Sequence, residues 1–476
     1  MGNVNEARRI RPVFPLGLAL AAGLAVATPP LPAFAADLAV DNWPVEKVVM
    51  LSRHGVRPPT NSAKFAPLSA APWPTWPVPD GNLTPHGREA AVLMGEYYRQ
   101  RYVSAGTLPA QGCPAAGTLF VWADIDQRTR ATGDALLAGL APGCDRTAEF
   151  RTGNGDDPLF DPIGAGIAPL DPAVARQDML SAMGGSVEAA QERWRPQLTA
   201  LGKILGCCSQ ALCREQVGRP DCAFEDLPWA IEVKQNGRKA GLSGPLDDAS
   251  GITEVFRLEY DEGFPPDQVA WGRASTPAAI KDLLVLHKAY YDVVKRVPYI
   301  ARRGASQMLN QIRIALAQGT PAQGEGAAPD AAGPPPAAMT VFVGHDGNIA
   351  QLGALLGLRW SLAGSPENDT PPAGAMVFER LRNPADGSRY VRVFFMAQSM
   401  DQVRSLTPLT GLGASGPLVA SVPVPGCVQE PGAEALCTLA GFETLSADRI
   451  DRSATTTPDY GPEDHRLGPT GAPEPR

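Results

Sequence analysis

Val48-Val49-Met50-Leu51-Ser52-Arg53-His54-Gly55-Val56-Arg57-Pro58-Pro59-Thr60 is the stretch whose reading decides the fold. Its apolar run stops at Arg-His-Gly-x-Arg, the pattern of a strand buried on both faces that ends in a loop. Open α/β sheets bind ligands at such strand ends. Two arginines flank one histidine there. Guanidinium groups stay charged and fork onto phosphate oxygens, so Arg53 and Arg57 prepare a site for a tetrahedral dianion. A neutral imidazole between them, His54, can attack phosphorus, because the cations offset its repulsion from an anionic substrate. The alternative is a surface loop that carries these three residues by chance.

A second stretch supplies the missing proton. Thr340-Val341-Phe342-Val343-Gly344-His345-Asp346-Gly347-Asn348 is again an apolar run ending in polar chemistry. The pattern Ile349, Leu352, Leu355, Leu356 and a terminating Gly357 predicts a helix directly after it, whose free N–H groups and positive end face the same crevice. His345 can donate to phosphate. Asp346 can protonate a leaving alkoxide, and an aspartic acid held protonated serves best in acid. A plain helix N-cap is the alternative for Asp346.

Arg-His-Gly-x-Arg-x-Pro with a distant His-Asp resembles the histidine acid phosphatases (branch 2), and the resemblance runs from about Val45 to about Phe442. Trp73-Pro74-Thr75-Trp76-Pro77, Leu83-Thr84-Pro85, Asp124-Ile125-Asp126-Gln127-Arg128-Thr129-Arg130 and Trp271-Gly272-Arg273 look like the bacterial periplasmic branch, which contains phytases and glucose-1-phosphatases. The resemblance implies an α/β fold, a phosphoglycerate-mutase-like mixed sheet flanked by helices with a mostly helical cap domain inserted. It assigns Arg130 as a third phosphate-binding guanidinium and places carboxylates near the substrate at Asp126 and Glu254, with Thr60 as a further substrate contact. Arg128 reads as structural, pairing with a surface acid. Two departures stand out: Gly347 lies where phytases read Thr and glucose-1-phosphatases Ser, and Asn61 lies where phytases tend to carry Lys.

Taken in order, residues 1–35 have the layout of an export signal: Arg8, Arg9 and Arg11, an apolar core from Val13 to Val26, then Ala33-Phe34-Ala35. That core is too short to span a bilayer. The expected organisation is an α/β phosphatase domain over 36–152 and 299–446, a mostly helical cap over 153–298 without a strong strand, a flexible Gly/Pro/Ala connection over 318–338 and a disordered tail over 447–476. Thr84-Pro85 opens a helix to about Arg101, Thr118–Ala123 is a strand, and Thr132–Gly139 a helix. His86 reads as a surface residue, His287 as a buried structural one, and Trp73 and Trp76 as anchors of a satellite core. Met376–Arg382 and Tyr390–Phe395 alternate around Asp386-Gly387, a hairpin signal.

The net charge of −8 and the absence of basic runs argue against a nucleic-acid partner, and they require affinity for an anion to come from a local arginine cluster. Eight cysteines in an exported chain point to disulfides. Proximity and the family's layout imply Cys113–Cys144, Cys213–Cys222 and Cys427–Cys437, leaving Cys207 and Cys208 unassigned. A zinc site built from Cys207, Cys208, Cys213 and Cys222 is the rival reading.

The functional expectation is a periplasmic or secreted acid phosphomonoesterase, monomeric, with no membrane partner after signal removal. His54 attacks phosphorus and forms a phosphohistidine, Arg53, Arg57, Arg130 and His345 hold the phosphate, and Asp346 protonates the leaving oxygen. The scheme calls for no metal or other cofactor. The resemblance implies inositol hexakisphosphate as substrate, with glucose 1-phosphate or a broad range of monoesters as alternatives. Two readings of other classes are a non-catalytic inositol-phosphate binder, which has no need of an acid, and a mutase-type phosphotransferase, which an export signal disfavours.

Overall fold

The computed structural model describes residues 43–320 and 332–461, apart from 412, 414, 428, 431 and 432. The expected leader over 1–35 and the middle of the 318–338 connection lie outside the described residues.

Eleven strands follow one another along the described residues: β1 (Val45–Arg53), β2 (Leu119–Ala123), β3 (Glu149–Phe150), β4 (Ala230–Val233), β5 (Ala240–Ser243), β6 (Met339–Gly344), β7 (Ala375–Arg382), β8 (Arg389–Ala397), β9 (Leu418–Ser421), β10 (Gln429–Glu430) and β11 (Ala433–Thr438). Nine of them form one mixed sheet in the order β10-β11-β8-β7-β1-β6-β2-β3, with β9 paired to β8. The segment β1, β6, β2, β3 is parallel, and β7 closes antiparallel on β1. The long apolar runs are explained by burial on both faces. Val49 and Leu51 enter one core with Phe342, Trp360 and Phe378, while Val48 and Met50 enter the other with Met94, Tyr98 and Val341. The hairpin expected around Asp386-Gly387 is the β7–β8 pair.

Helix Pro85–Ser104 begins as Thr84-Pro85 predicts, the Thr84 hydroxyl accepting the Gly87 N–H. Gly87 is fixed by packing: a Cβ there would lie 2.6 Å from the Val56 carbonyl oxygen, so only glycine lets this helix press against the loop that follows β1. His86 is half-buried, with Nε2 2.9 Å from the Val403 carbonyl oxygen, and so is a brace where a surface residue was expected.

Between 153 and 298 the chain is mainly helical, with its own apolar core of Met179, Leu198, Leu246, Phe256 and Leu286 among others. Trp73 joins that core against Phe256 and Trp271, and Trp76 meets Phe264 at a tilt. The span also holds the antiparallel β4–β5 pair, whose four-residue strands are too short to stand out from helical periodicity. Residues 447–461, expected within a disordered tail, are ordered, and the rest of that tail lies outside the described residues. The helix Leu439–Arg449 is followed by a turn at Arg452–Ala454, and Tyr460 is fully buried against Phe120 and Trp122. Isolated apolar residues without a period carry no signal in sequence, yet one ring in a cavity is enough to fasten a segment.

All eight cysteines are in disulfides: Cys113–Cys144, Cys213–Cys222, Cys427–Cys437 and the adjacent pair Cys207–Cys208. No thiolate is left for the zinc reading.

Candidate active site

Register brings the two polar stretches together. Arg53 pairs with Gly344 across β1 and β6, and Ala123 pairs with Val343 across β2 and β6, so three carboxyl ends open side by side. The His54 N–H donates to the Gly344 carbonyl and the Asp124 N–H to the Val343 carbonyl, each at 2.9 Å, which extends the ladder into the site. His345 and Asp346 leave β6 between them.

His54 is 1% exposed, and its Nδ1 lies 2.9 Å from the Gly55 carbonyl oxygen. A carbonyl only accepts, so Nδ1 carries the proton and Nε2 presents a lone pair. Burial above all, then the charges of Arg57, Arg53, His345 and Arg128, push the His54 imidazole well below its usual range. It therefore stays neutral in acid.

The crevice is a cavity of about 500 Å³ lined by His54, Arg57, Arg128, His345 and Asp346 among others. Arg57 is half-buried and carries no ion pair among the described residues; desolvation first, then Arg53 and Arg128, lower its pKa to about 10. His345 is oriented by Asp124, whose Oδ2 is 2.7 Å from Nε2, with Asp126 Oδ2 at 3.5 Å. Its ring meets that of His54 edge-on at 5.6 Å. The ligand atoms of Asp124, Asp126 and His345 lie within 4.8 Å of one another and are the described group best placed to take a cation, although Asp124 is already engaged by His345 and Asp126 by Arg128.

Arg53 sits behind the wall in a closed ring of charge. Its Nη1 donates to the Thr370 carbonyl at 2.6 Å, and its Nη2 lies 2.5 Å from Glu254 Oε1 and 3.2 Å from Asp346 Oδ2. Glu254 Oε2 accepts from Arg257, Arg257 Nη1 bridges both oxygens of Asp369, and Asp369 Oδ1 accepts the Thr370 N–H. Burial opposes the charge on Glu254, but Arg257 and Arg53 outweigh it and hold the carboxyl at about 2.

Asp346 is the first residue of the helix Asp346–Leu355; His345 occupies the N-cap position, and Asn348 Oδ1 reaches back to the His345 N–H at 2.9 Å. Burial raises the Asp346 pKa, but Arg53, then His287 and His54, and a hydrogen bond with Tyr291 bring it well below the usual carboxylate range. The expected standing proton on this group is thus corrected. Arg53, His287, His54 and Tyr291 all face it and favour its ionised form.

Besides Arg53, three expected contacts are not in the cavity. Arg130 stands 4.6 Å from the Phe150 ring, a cation–π contact outside the crevice, and Arg128 takes the place expected of it. The cause is the helix start. The helix begins at Gln127, five residues before the expected Thr132, and residues two apart on a helix point about 200° apart. Arg128 also binds Asp126 Oδ2 at 2.6 Å, and Asp126 does line the cavity. Glu254 is buried in the ring around Arg53 and touches no cavity surface, and Thr60 is an exposed loop residue away from it. Tyr291 was missed altogether: one tyrosine on an amphipathic helix resembles any core residue, and only its bond to Asp346 marks it.

Comparison with known proteins agrees with this geometry. The family described as "Histidine phosphatase superfamily (branch 2)" matches residues 44–396. Phytase AppA of Escherichia coli is 36% identical over 404 residues, 84% of this chain and 91% of its own length. Glucose-1-phosphatase of Salmonella typhimurium is 31% identical over 379 residues, 78% and 85% of the two chains. Among solved structures, Hafnia alvei phytase in complex with tartrate superposes with a TM-score of 0.78 at 35% identity, covering 87% of this chain and 99% of that one. The chain belongs to the histidine phosphatase superfamily, branch 2, and is one of its enzymes.

Proposed function

We propose that the protein is an acid phosphomonoesterase that works through a phosphohistidine and takes inositol hexakisphosphate as substrate. The observation that carries this reading is the buried, neutral His54 whose Nδ1 proton is tied to the Gly55 carbonyl, which leaves Nε2 as the nucleophilic atom. Arg57, Arg128 and His345 receive the scissile phosphate, while Arg53, expected among them, stands behind the wall and holds Asp346. Nε2 forms a bond to phosphorus as the bond to the ester oxygen breaks, and Asp346 delivers a proton to that oxygen. A phosphate anion on the arginines offsets the field that keeps Asp346 ionised, so its proton affinity rises as substrate binds. Water then attacks phosphorus, Asp346 takes the water's proton, and His54 is released.

The relatives support the substrate class, one being a phytase and another a glucose-1-phosphatase. The leader-like sequence of residues 1–35 supports a reading in which the enzyme acts outside the cytoplasm, as a monomer.

Phosphate release from inositol hexakisphosphate and from glucose 1-phosphate at acidic pH, with and without chelator, tests the reading. Release from the first that exceeds the second, unchanged by chelator and lost in His54→Ala, is expected. Undiminished hydrolysis by His54→Ala overturns the nucleophile.

A further inference from the structure

Asp346 takes two forms in the reaction above, an acid toward the leaving oxygen and a carboxylate toward the attacking water, and its hydrogen-bond partners do not serve the two alike. Its Oδ1 accepts the Gly347 N–H at 2.8 Å, and its Oδ2 lies 3.2 Å from Arg53 Nη2. Residue 347, a glycine, has only that N–H to offer. An amide and a guanidinium donate and never accept, so both favour the carboxylate and neither can take up the hydrogen bond of the acid.

The third partner is of another kind. Tyr291, on the helix Pro277–Val294, lines the same cavity, and its hydroxyl is hydrogen-bonded to Asp346. A phenol donates to a carboxylate and, after its O–H turns, accepts from a carboxylic acid. Burial above all, then the charge of Asp346, raises the Tyr291 pKa well above its ordinary value, so the phenol keeps its proton. The ring is braced within the cap. His287, one helical turn earlier, packs on it with ring centroids 4.4 Å apart and 35° between planes. His287 Nδ1 in turn stands 3.1 Å from both the hydroxyl and the carbonyl oxygen of Ser250, on the helix Pro245–Asp261. Two helices of the cap thus fix the point from which the hydroxyl approaches.

We propose that Tyr291 is a positioning residue for Asp346, its hydroxyl holding the carboxyl at the leaving oxygen in both forms by donating to the carboxylate and accepting from the acid. The proposal rests on the reading of Asp346 as the acid and adds the partner that follows its proton. Tyr291 acts through Asp346, so its contribution scales with how much the leaving group needs that proton.

Tyr291→Phe keeps the ring on His287 and removes only the hydroxyl. Its kcat/KM for glycerol 2-phosphate, an alkyl ester, should fall about tenfold, the effect of one lost hydrogen bond, while kcat/KM for p-nitrophenyl phosphate and inhibition by inorganic phosphate stay within about twofold. A merely structural role would slow both esters alike. On top of Asp346→Asn the same substitution should cost less than about twofold, because the group it serves is gone. Equal losses on the two esters, no loss on either, or the full tenfold added to that of Asp346→Asn overturn the positioning role alone. Equal losses on both esters in Asp346→Asn itself would overturn the acid, and the role of Tyr291 with it.

Discussion

Arg257 Nη1 lies 2.8 and 2.7 Å from the two carboxylate oxygens of Asp369, and both side chains are shut off from solvent. The pair ties the cap helix Pro245–Asp261 to the segment leading into β7, and through Glu254 it fixes the guanidinium of Arg53. An ion pair of this kind resists loss of one partner far more than replacement of both, because the survivor is a buried charge without compensation.

Arg257→Leu should therefore destabilise the fold by about 3–5 kcal/mol. It should also lower kcat, since Glu254 loses one of its two arginines and pulls Arg53 out of register. Denaturant midpoints and steady-state rates check both; a midpoint unchanged from wild type would show that the ring does not hold the cap.

Arg128→Ala should cost about 10²–10³ in kcat/KM, the usual effect of deleting a donor that faces developing charge. Arg130→Ala, removing only a contact to Phe150, should leave kcat/KM within about threefold. The ratio of the two effects decides which arginine faces phosphate.

Asp346→Asn should slow hydrolysis of alkyl phosphates by about 10²–10⁴, because an alkoxide leaves poorly without a proton. p-Nitrophenyl phosphate, whose leaving group departs as a stable anion, should lose much less. Comparable losses on both esters would assign Asp346 to binding.

Acid should favour both activity and stability. Burial and the surrounding cations keep His54 neutral well below the usual histidine range, so the rate should not fall as pH drops through 6.5 toward 5. Glu259, whose Oε2 accepts the Ala270 N–H, is pushed by burial from 4.5 to about 8. Its folded pKa exceeds its unfolded one, so the stability it confers is complete below 4.5 and drains away as pH rises through about 8. Thermal midpoints of wild type should decline over that window, and those of Glu259→Gln should decline less.

Some of this was legible in the chain alone. The runs before Arg53 and before His345 announce central strands because every residue is apolar, and the motif at each end names its chemistry. That the two ends adjoin is a matter of register between β1 and β6, which no local pattern encodes. Arg128 and Arg130 were exchanged because a polar first turn hides where a helix begins. Glu254 was read as a substrate contact because its true partners, Arg53 and Arg257 with Asp369, include two from distant stretches. Tyr460 escaped notice for a similar reason: its pocket is made by Phe120 and Trp122 of β2.

The sheet order has a bearing on biosynthesis. β1 is flanked by β6 and β7, both of which follow the entire cap in the chain, so a nascent polypeptide that has not reached Gly344 holds His54 on a strand with neither neighbour. Such a precursor has the nucleophile but not the acid. A chain halted anywhere before that point lacks the group that would protonate the leaving oxygen.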